Sequence, residues 1–186
     1  KVKIESMDIT AHESLTWKYI LNQLISGQDL GSRHVDWAMD EIMTGSTPEP
    51  ILASFLTSLH MKGETSEELG ALARGMLAKA ETIDLDVHAV DIVGTGGDQQ
   101  NTVNISTMAA LVIAGTGATV VKHGNRASTS KSGSADVLEA LGIQLDMPIK
   151  SVAACARQVG ITFLFAMTFH PSMRFVGPTR KMLGIP

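Results

Sequence analysis

Apolar residues in the first part of the chain recur three and four positions apart, which is the spacing of amphipathic helices. Four such stretches begin near Ser14, Ser32, Pro48 and Thr65. The last start carries an additional signal, because Thr65 is followed three positions later by Glu68, the pattern of a capping box. The pattern therefore predicts a helical N-terminal domain of four helices over residues 1–80.

From residue 81 onward the pattern changes, and short β-branched runs alternate with helical stretches after a polar linker at 81–88. They predict strands at 90–93, 118–122 and 161–166, and helices at 104–114, 134–141 and 148–159. Such alternation is typical of a mainly parallel sheet flanked by helices, so the predicted fold class is α/β. A last helical stretch, 171–183, contains Pro178, which is predicted to break it in two.

Three predicted strands are few for an α/β enzyme, whose sheets usually have about five or six. Gly184-Ile185-Pro186 also resembles the lead into another strand. We therefore expect residues 81–186 to be the first part of a longer α/β domain, truncated after about three strands. Residues 170–186 are expected to pack back toward the helical domain.

A glycine-rich segment follows the first predicted strand. Val90 to Val93 has the pattern of a buried parallel strand, and it runs into Gly94-Thr95-Gly96-Gly97-Asp98, where glycines let the main chain approach a ligand closely. Asn104-Ile105-Ser106-Thr107 then opens a helix with side chains that can cap its start. Loop amides and a helix N-terminus facing one crevice favour phosphate oxygens, so the segment predicts a polyanion site.

Two common phosphate-binding motifs do not fit this segment. A dinucleotide-binding fold needs an acidic residue about 20 residues further on to hold the ribose, and the second strand ends instead in Lys122-His123-Gly124-Asn125-Arg126. A Walker loop needs Gly-Lys-Ser/Thr after the glycines, which this sequence lacks.

Charge supports an anionic ligand at this place. No carboxylate occurs between Asp98 and Asp136, whereas Lys122, Arg126 and Lys131 fall in the interval and His123 is a possible fourth cation. In a chain of net charge −4, this interval predicts a local positive field. Arg126 and Lys131 could equally be ordinary solvated cations.

Composition limits the classes of protein. The chain has 186 residues, of which 44% are hydrophobic, enough for a sizeable core, and no apolar run approaches the length of a membrane span. Its single cysteine, Cys155, excludes an internal disulfide framework and favours a cytoplasmic location. A pI of about 5.8 and 4% aromatic residues argue against a nucleic-acid-binding protein.

The motifs GTGGD, NIST and KHGNRAxxSxxGSADxLExLG, in this order and spacing, resemble those of anthranilate phosphoribosyltransferases, enzymes of tryptophan biosynthesis. The resemblance runs from about residue 14 to the last residue. It implies transfer of the 5-phosphoribosyl group from phosphoribosyl diphosphate to the amine of anthranilate, which gives N-(5-phosphoribosyl)anthranilate and diphosphate. It also implies a homodimer paired through the helical domain and Mg²⁺ bound to the diphosphate of the donor.

For the phosphoribosyl donor, the resemblance implies contacts from the glycine segment, the next helix start and the KHGNR region. These residues are Gly94, Gly96, Gly97, Asp98, Thr102, Asn104, Ser106, Thr107, Lys122, Asn125, Ser128, Thr129 and Ser130. Ser106 is also the implied Mg²⁺ ligand, and weak metal binding is expected because the family's Asp-Glu pair is absent. The pair Ser128-Thr129 departs from the family, which often has a small apolar residue and Ser there.

For the acceptor, the resemblance implies Gly94, His123, Asn125, His170 and Arg180. The planar fork of Arg180 suits the carboxylate of anthranilate, although pairing with a surface carboxylate is the alternative. His170 precedes Pro171 and could instead be a helix-start residue satisfied by the backbone. No residue is implied as a general acid or base, because the departing negative charge is what must be stabilised.

Two other functions compete with this interpretation. Pyrimidine nucleoside phosphorylases belong to the same broad family and would consume phosphate and a nucleoside. A catalytically silent homologue would use the same cleft to bind a ligand or nucleic acid.

Overall fold

The computed structural model describes residues 15–94, 103–127 and 132–184, and its N-terminal part is helical. The four helices are α1 Trp17–Ile25, α2 Ser32–Met43, α3 Glu49–Lys62 and α4 Ser66–Ala78. The predicted capping box is confirmed, because the Thr65 hydroxyl accepts the Glu68 amide and the Glu68 carboxylate accepts the Thr65 amide. All four predicted helices are therefore present.

The second part alternates strands and helices. Its elements are β1 Ala89–Val90, α5 Ile105–Gly115, β2 Thr119–Gly124, α6 Ser134–Ala140, α7 Ile149–Val159, β3 Ile161–Phe165, α8 Ala166–Phe169, a 3-10 helix Pro171–Phe175 and α9 Gly177–Leu183. The described strands form one sheet in the order β1-β2-β3, and both neighbouring pairs are parallel. The expected fold class, a helical N-terminal part followed by a parallel sheet flanked by helices, is confirmed.

The prediction for the first strand is wrong in its burial. Strand β1 has two residues, and Val90 and Val93 are 44% and 60% exposed, because β1 pairs only with β2 at the edge of the described sheet. The predicted break in the last helical stretch is confirmed, since the 3-10 helix Pro171–Phe175 and α9 Gly177–Leu183 are separate elements. Pro178 lies in the first turn of α9, where its missing N–H removes no helical hydrogen bond, and the two elements meet at Val176. The short helix α8 was not predicted.

The core lies in two clusters of buried residues. One joins α1 to α4 and includes Phe55 and, from the far end of the chain, Val176. The other joins α6 and β3, with Leu138 and Phe163 among its members. Residues just after His170 thus contact the helical part, which brings the end of β3 and α4 into the same region of the molecule.

Candidate functional site

Two histidines that are far apart in the sequence meet beside the end of β2. His123 is the penultimate residue of β2, and the centroids of its ring and that of His170 lie 5.3 Å apart in an edge-to-face arrangement. Nε2 of His123 is buried and has no hydrogen-bond partner among the described residues. His170 also fits its alternative interpretation, since its carbonyl accepts the Met173 amide at the start of the 3-10 helix. Its backbone begins that helix while its ring faces His123.

Burial makes this pair neutral near pH 7. Desolvation, with His170 and Lys122 nearby, holds the pKa of His123 below its ordinary value, and the charge of Asp91 offsets only part of this effect. Desolvation likewise lowers the pKa of His170. An uncharged imidazole can accept as well as donate a hydrogen bond, so the pair offers polar contacts without a full charge.

Lys122 and Asp91 join β2 to the segment that leads into the glycines. Lys122 is buried, and its Nζ donates to the Ile92 carbonyl at 2.7 Å. In the opposite direction, the His123 backbone N–H donates to Oδ1 of Asp91 at 3.1 Å. Burial lowers the pKa of Lys122, and the charge of Asp91 opposes that shift. An ammonium has three donors, so the bond to Ile92 leaves two available for an anion.

The start of α5 carries three of the predicted donor contacts. Asn104 is the N-cap residue, but it caps with no side-chain hydrogen bond, and its carbonyl accepts the Thr107 and Met108 amides instead. The Thr107 hydroxyl is buried and has no partner within the described part of the chain. Ser106 lies in the same first turn. The free hydroxyl of Thr107 and the uncapped helix start leave this turn able to receive an acceptor group.

A carboxylate at the start of α6 binds the backbone just after the KHGNR region. The Asp136 carboxylate accepts the amides of Ala127 and Gly133 at 2.9 and 2.7 Å, and these bonds hold its pKa below the ordinary value. At Gly133 a Cβ would lie 2.6 Å from the Asn125 carbonyl oxygen, so only glycine permits this approach. Oδ1 of Asn125 accepts the Arg126 amide, which leaves its NH₂ group as the free donor.

The predicted positive field is weaker than the sequence interval indicated. The Arg126 guanidinium binds Glu139 through Nε and a terminal nitrogen, and it lies 4.7 Å above the Phe165 ring centroid. The chain therefore brings carboxylates next to the cations although the interval between Asp98 and Asp136 has none. Lys131 lies outside the described residues. His123 is neutral as well, so Lys122 is the described cation of this group whose charge faces the segment that leads into the glycines.

Arg180 lies in α9, which packs against α3 and the 3-10 helix. Its side chain makes no ion pair with any carboxylate of the described residues, so the alternative of a surface ion pair finds no support there. No described contact joins it to the two histidines. A groove of about 380 Å³ lies elsewhere, lined by residues of 82–84 and α7.

Several predicted contacts lie outside the described residues, and Gly94 is the last described position before one such gap. The predicted contacts in these gaps are Gly96, Gly97, Asp98, Thr102, Ser128, Thr129 and Ser130. The structure thus brings together Lys122 and the two histidines, with Gly94 two residues beyond Ile92. It leaves Arg180 and the start of α5 on separate elements.

The helical part and the α/β part of the chain each match a domain of a known protein family. Residues 18–80 match the helical bundle domain of the glycosyl transferase family, and residues 86–186 match its a/b domain. The chain belongs to the glycosyl transferase family. It is 57% identical over 171 residues to an anthranilate phosphoribosyltransferase of Arthrobacter sp. (strain FB24), which covers 92% of this chain and 49% of that protein.

Solved structures of anthranilate phosphoribosyltransferases share the fold of this chain. Anthranilate phosphoribosyltransferase from Thermus thermophilus matches with a TM-score of 0.81 at 41% identity, over 90% of this chain and 51% of that one. The Saccharomyces cerevisiae enzyme in complex with PRPP and Mg matches with a TM-score of 0.83 at 33% identity, over 94% and 53%. The resemblance to anthranilate phosphoribosyltransferases is confirmed, and the chain spans about half the length of these relatives.

Two carboxylates that were not predicted as site residues bind the backbone of the predicted site. Asp91 is the first polar residue after β1, and Asp136 is the third residue of α6. The Asp91 carboxylate accepts the His123 amide of the KHGNR region, and the Asp136 carboxylate accepts the amide of Ala127, the residue that follows this region. A polar residue at the carboxyl end of a parallel strand is a recognisable signal for a site, and it would have identified Asp91. Nothing in the spacing alone distinguishes Asp136 from an ordinary first-turn acid.

The lowered pKa of His123 makes stability depend on pH. An unfolded histidine, with its ordinary pKa near 6.5, binds a proton before the folded one does. Protonation therefore favours the unfolded state, and we expect the unfolding free energy to decrease as the pH falls below about 7. Urea unfolding across this range measures the slope, which for His123 alone is less than about 1.4 kcal/mol per pH unit.

The variant His123→Gln should give a shallower slope, because one of the two depressed histidines is removed. His60→Gln is the matched control, since His60 is 57% exposed and lies outside the site. An unchanged slope in His123→Gln would show that His123 titrates normally in the folded protein.

Proposed function

We propose that this chain forms part of an anthranilate phosphoribosyltransferase of tryptophan biosynthesis. The reaction breaks the bond between the anomeric carbon of phosphoribosyl diphosphate and its diphosphate. It forms a bond from that carbon to the anthranilate nitrogen, which loses a proton. The products are N-(5-phosphoribosyl)anthranilate and diphosphate.

One observation carries this proposal beyond the family assignment. His123 and His170, each expected at the acceptor site, meet edge to face, and the neighbouring Lys122 points to the segment that leads into the glycines. A site for this reaction must hold the acceptor through polar contacts. It must also place the acceptor next to a donor whose leaving group is anionic. The residues expected for the two substrates adjoin here, which is the arrangement that transfer between them needs.

On the donor side, Lys122 and the residues of the glycine segment would bind the phosphates. Cations and main-chain amides stabilise the charge that develops on departing diphosphate, which is typically the largest catalytic contribution in such sites. The Lys122 ammonium is held by Ile92, so it would meet the phosphates from a fixed position. Thr107, Asn104 and Ser106 at the start of α5 would complete the donor contacts.

On the acceptor side, the neutral histidines would face the aromatic ring and amine of anthranilate. An aromatic amine is uncharged at neutral pH, so it needs orientation more than deprotonation. Arg180 would hold the carboxylate.

The described residues do not by themselves fit a magnesium ion. Nowhere in residues 15–94, 103–127 and 132–184 do three or more His, Cys, Asp or Glu side chains form a metal-binding group. Ser106 supplies one hydroxyl, whereas Mg²⁺ prefers several oxygen ligands in octahedral geometry. We propose that Mg²⁺ reaches the site with the diphosphate of the donor and that Ser106 is its contact from this chain.

The remaining expectations are part of the same proposal. Residues 1–80 would form a dimerisation domain and residues 81–186 the start of the donor-binding domain, in a cytoplasmic homodimer. No helix within the described residues is long and apolar enough to cross a membrane. Exposed apolar side chains on the helical part, such as Met61 and Leu77, would lie in the dimer surface.

Loss of anthranilate fluorescence on addition of phosphoribosyl diphosphate and Mg²⁺ tests the proposal, with the intact mass taken on the same sample. We expect binding of both substrates, measured separately by calorimetry. Lys122→Met should weaken phosphoribosyl diphosphate binding about tenfold or more, because a charged donor is lost, and spare anthranilate. Lys150→Met on the exposed start of α7 is the control.

Equal loss of both substrates in Lys122→Met would indicate misfolding and contradict the assigned role. A folded wild-type chain that binds neither substrate would overturn the proposed function. Turnover of a nucleoside with phosphate would instead assign the chain to the nucleoside phosphorylases.

A further inference from the structure

Strand β1 is short, yet the chain continues alongside β2 beyond it. The backbone register pairs Ala89 with Thr119 and Val90 with Val120, and no further pair follows among the described residues. Two bonds between a side chain and the backbone then take the place of the ladder. Asp91 accepts the backbone N–H of His123, and Lys122 donates to the Ile92 carbonyl.

These two bonds run in opposite directions and close a small ring of contacts. Asp91 reaches forward to the residue after Lys122, and Lys122 reaches back to the residue after Asp91. Neither 91 nor 92 can slide along β2 without breaking one of them. Gly94 follows Ile92 by two residues and therefore lies within about 7 Å of it.

The charge of Asp91 also acts on Lys122. The Lys122 ammonium is buried, which disfavours its charged form, and Asp91 is the group whose negative charge opposes this effect. Asp91 itself is exposed, and its Oδ1 accepts the His123 backbone amide. Its described hydrogen bond is therefore to the protein backbone rather than to a side chain predicted to bind substrate.

We propose that Asp91 is a positioning residue that holds the entry to the glycine segment beside His123, through the bond from the His123 amide to its carboxylate. The proposal rests on the proposed function, because this segment is where the phosphoribosyl donor would bind. Asp91 sets the distance between the donor segment and the histidine pair without contacting either substrate. It is distinct from the substrate contacts assigned above.

Two variants separate the hydrogen bond from the charge. Asp91→Asn keeps a side-chain oxygen that can accept the His123 amide and removes the charge, whereas Asp91→Ala removes both. Asp86→Asn is the matched control, because Asp86 is an exposed carboxylate just before β1. In each variant of the 186-residue chain, NMR measures exchange of the His123 amide and titration of its ring.

The bond should govern amide exchange and donor affinity. Asp91→Ala should speed exchange of the His123 amide at least about tenfold and weaken phosphoribosyl diphosphate binding about tenfold, while anthranilate binding changes less. Asp91→Asn should keep both near wild type. Because the charge of Asp91 raises the pKa of His123, that pKa should fall in both variants and stay constant in Asp86→Asn.

Unchanged His123 amide exchange in Asp91→Ala would overturn the proposal. So would an Asp91→Asn variant that loses as much donor affinity as Asp91→Ala, since charge rather than the bond would then be responsible. If the wild-type chain binds no phosphoribosyl diphosphate, the proposed function fails. In that case, exchange of the His123 amide alone tests whether Asp91 holds the segment in place.

Discussion

Replacing Glu68 by alanine should destabilise the protein by about 3 to 5 kcal/mol, the cost of breaking a buried ion pair from one side. Glu68 is fully buried at the start of α4. Its carboxylate accepts three hydrogen bonds of 2.8 Å, from Lys62 Nζ and from the amides of Leu30 and Thr65. Alanine would leave all three donors without this acceptor, two of them on the backbone.

The pKa of Glu68 reflects the same contacts. Burial alone would raise it, but the bonds from Lys62, Thr65 and Leu30 outweigh burial and hold the pKa below its ordinary value. The stabilisation is therefore present above pH 4.5 and is lost as the pH falls through the lowered folded pKa. Urea unfolding at pH 7, compared with unfolding in acid, measures both effects.

Glu67→Ala is the matched control, because it removes the same charge from an exposed position of the same turn, where one bond from the Ser32 hydroxyl is lost. It should cost less than about 1 kcal/mol. Lys62→Met should cost less than Glu68→Ala, since Glu68 keeps its two amide donors. A Glu68→Ala variant as stable as Glu67→Ala would show that the carboxylate is not the anchor between α3, α4 and the residues before α2.

Replacing Arg180 by alanine should weaken anthranilate binding by about 2 to 3 kcal/mol, because an anion loses a charge-assisted partner. This corresponds to about a 30- to 150-fold increase in the dissociation constant. Arg180 is available for the contact, since it forms no ion pair among the described residues. Titration of anthranilate fluorescence gives the affinity, and phosphoribosyl diphosphate binding should remain unchanged.

Arg180→Lys should recover only part of the affinity, because an ammonium keeps the charge and loses the planar fork. Arg174→Ala is the control on the adjacent 3-10 helix, where Arg174 stacks on Phe175. If Arg180→Ala binds anthranilate as tightly as the wild type does, Arg180 does not hold the carboxylate. The rest of the proposed function would still stand.

Local patterns were sufficient to locate most elements of this protein. The capping box at Thr65 and the change from helical spacing to alternation each act within a few residues, so they are visible without the fold. The short helix α8 was not predicted, and strand β1 differs from its prediction. Its apolar run predicted burial, but burial depends on how many neighbours the sheet supplies, which is not a local property.

The sequence motifs identified the predicted site residues, but they did not show which charged side chains lie next to one another. The interval without carboxylates was correctly read from the sequence, yet Glu139 binds Arg126 and Asp91 lies near Lys122 after folding. Linear spacing says nothing of charges brought close by a turn or by a neighbouring strand. Coulombic interaction depends on distance in space, so the positive field could not be read from the interval.

The sequence by itself determined the order of helices and strands, the family and the residue types available for a phosphoribosyl donor and its acceptor, because these depend on local spacing. Only the tertiary structure decided that His123 meets His170, that Lys122 is held by Ile92 and that Asp91 accepts the His123 amide. These contacts join residues of β2 to the segments that follow β1 and β3. Their distances, and the lowered pKa of His123, arise from packing and burial of the whole sheet.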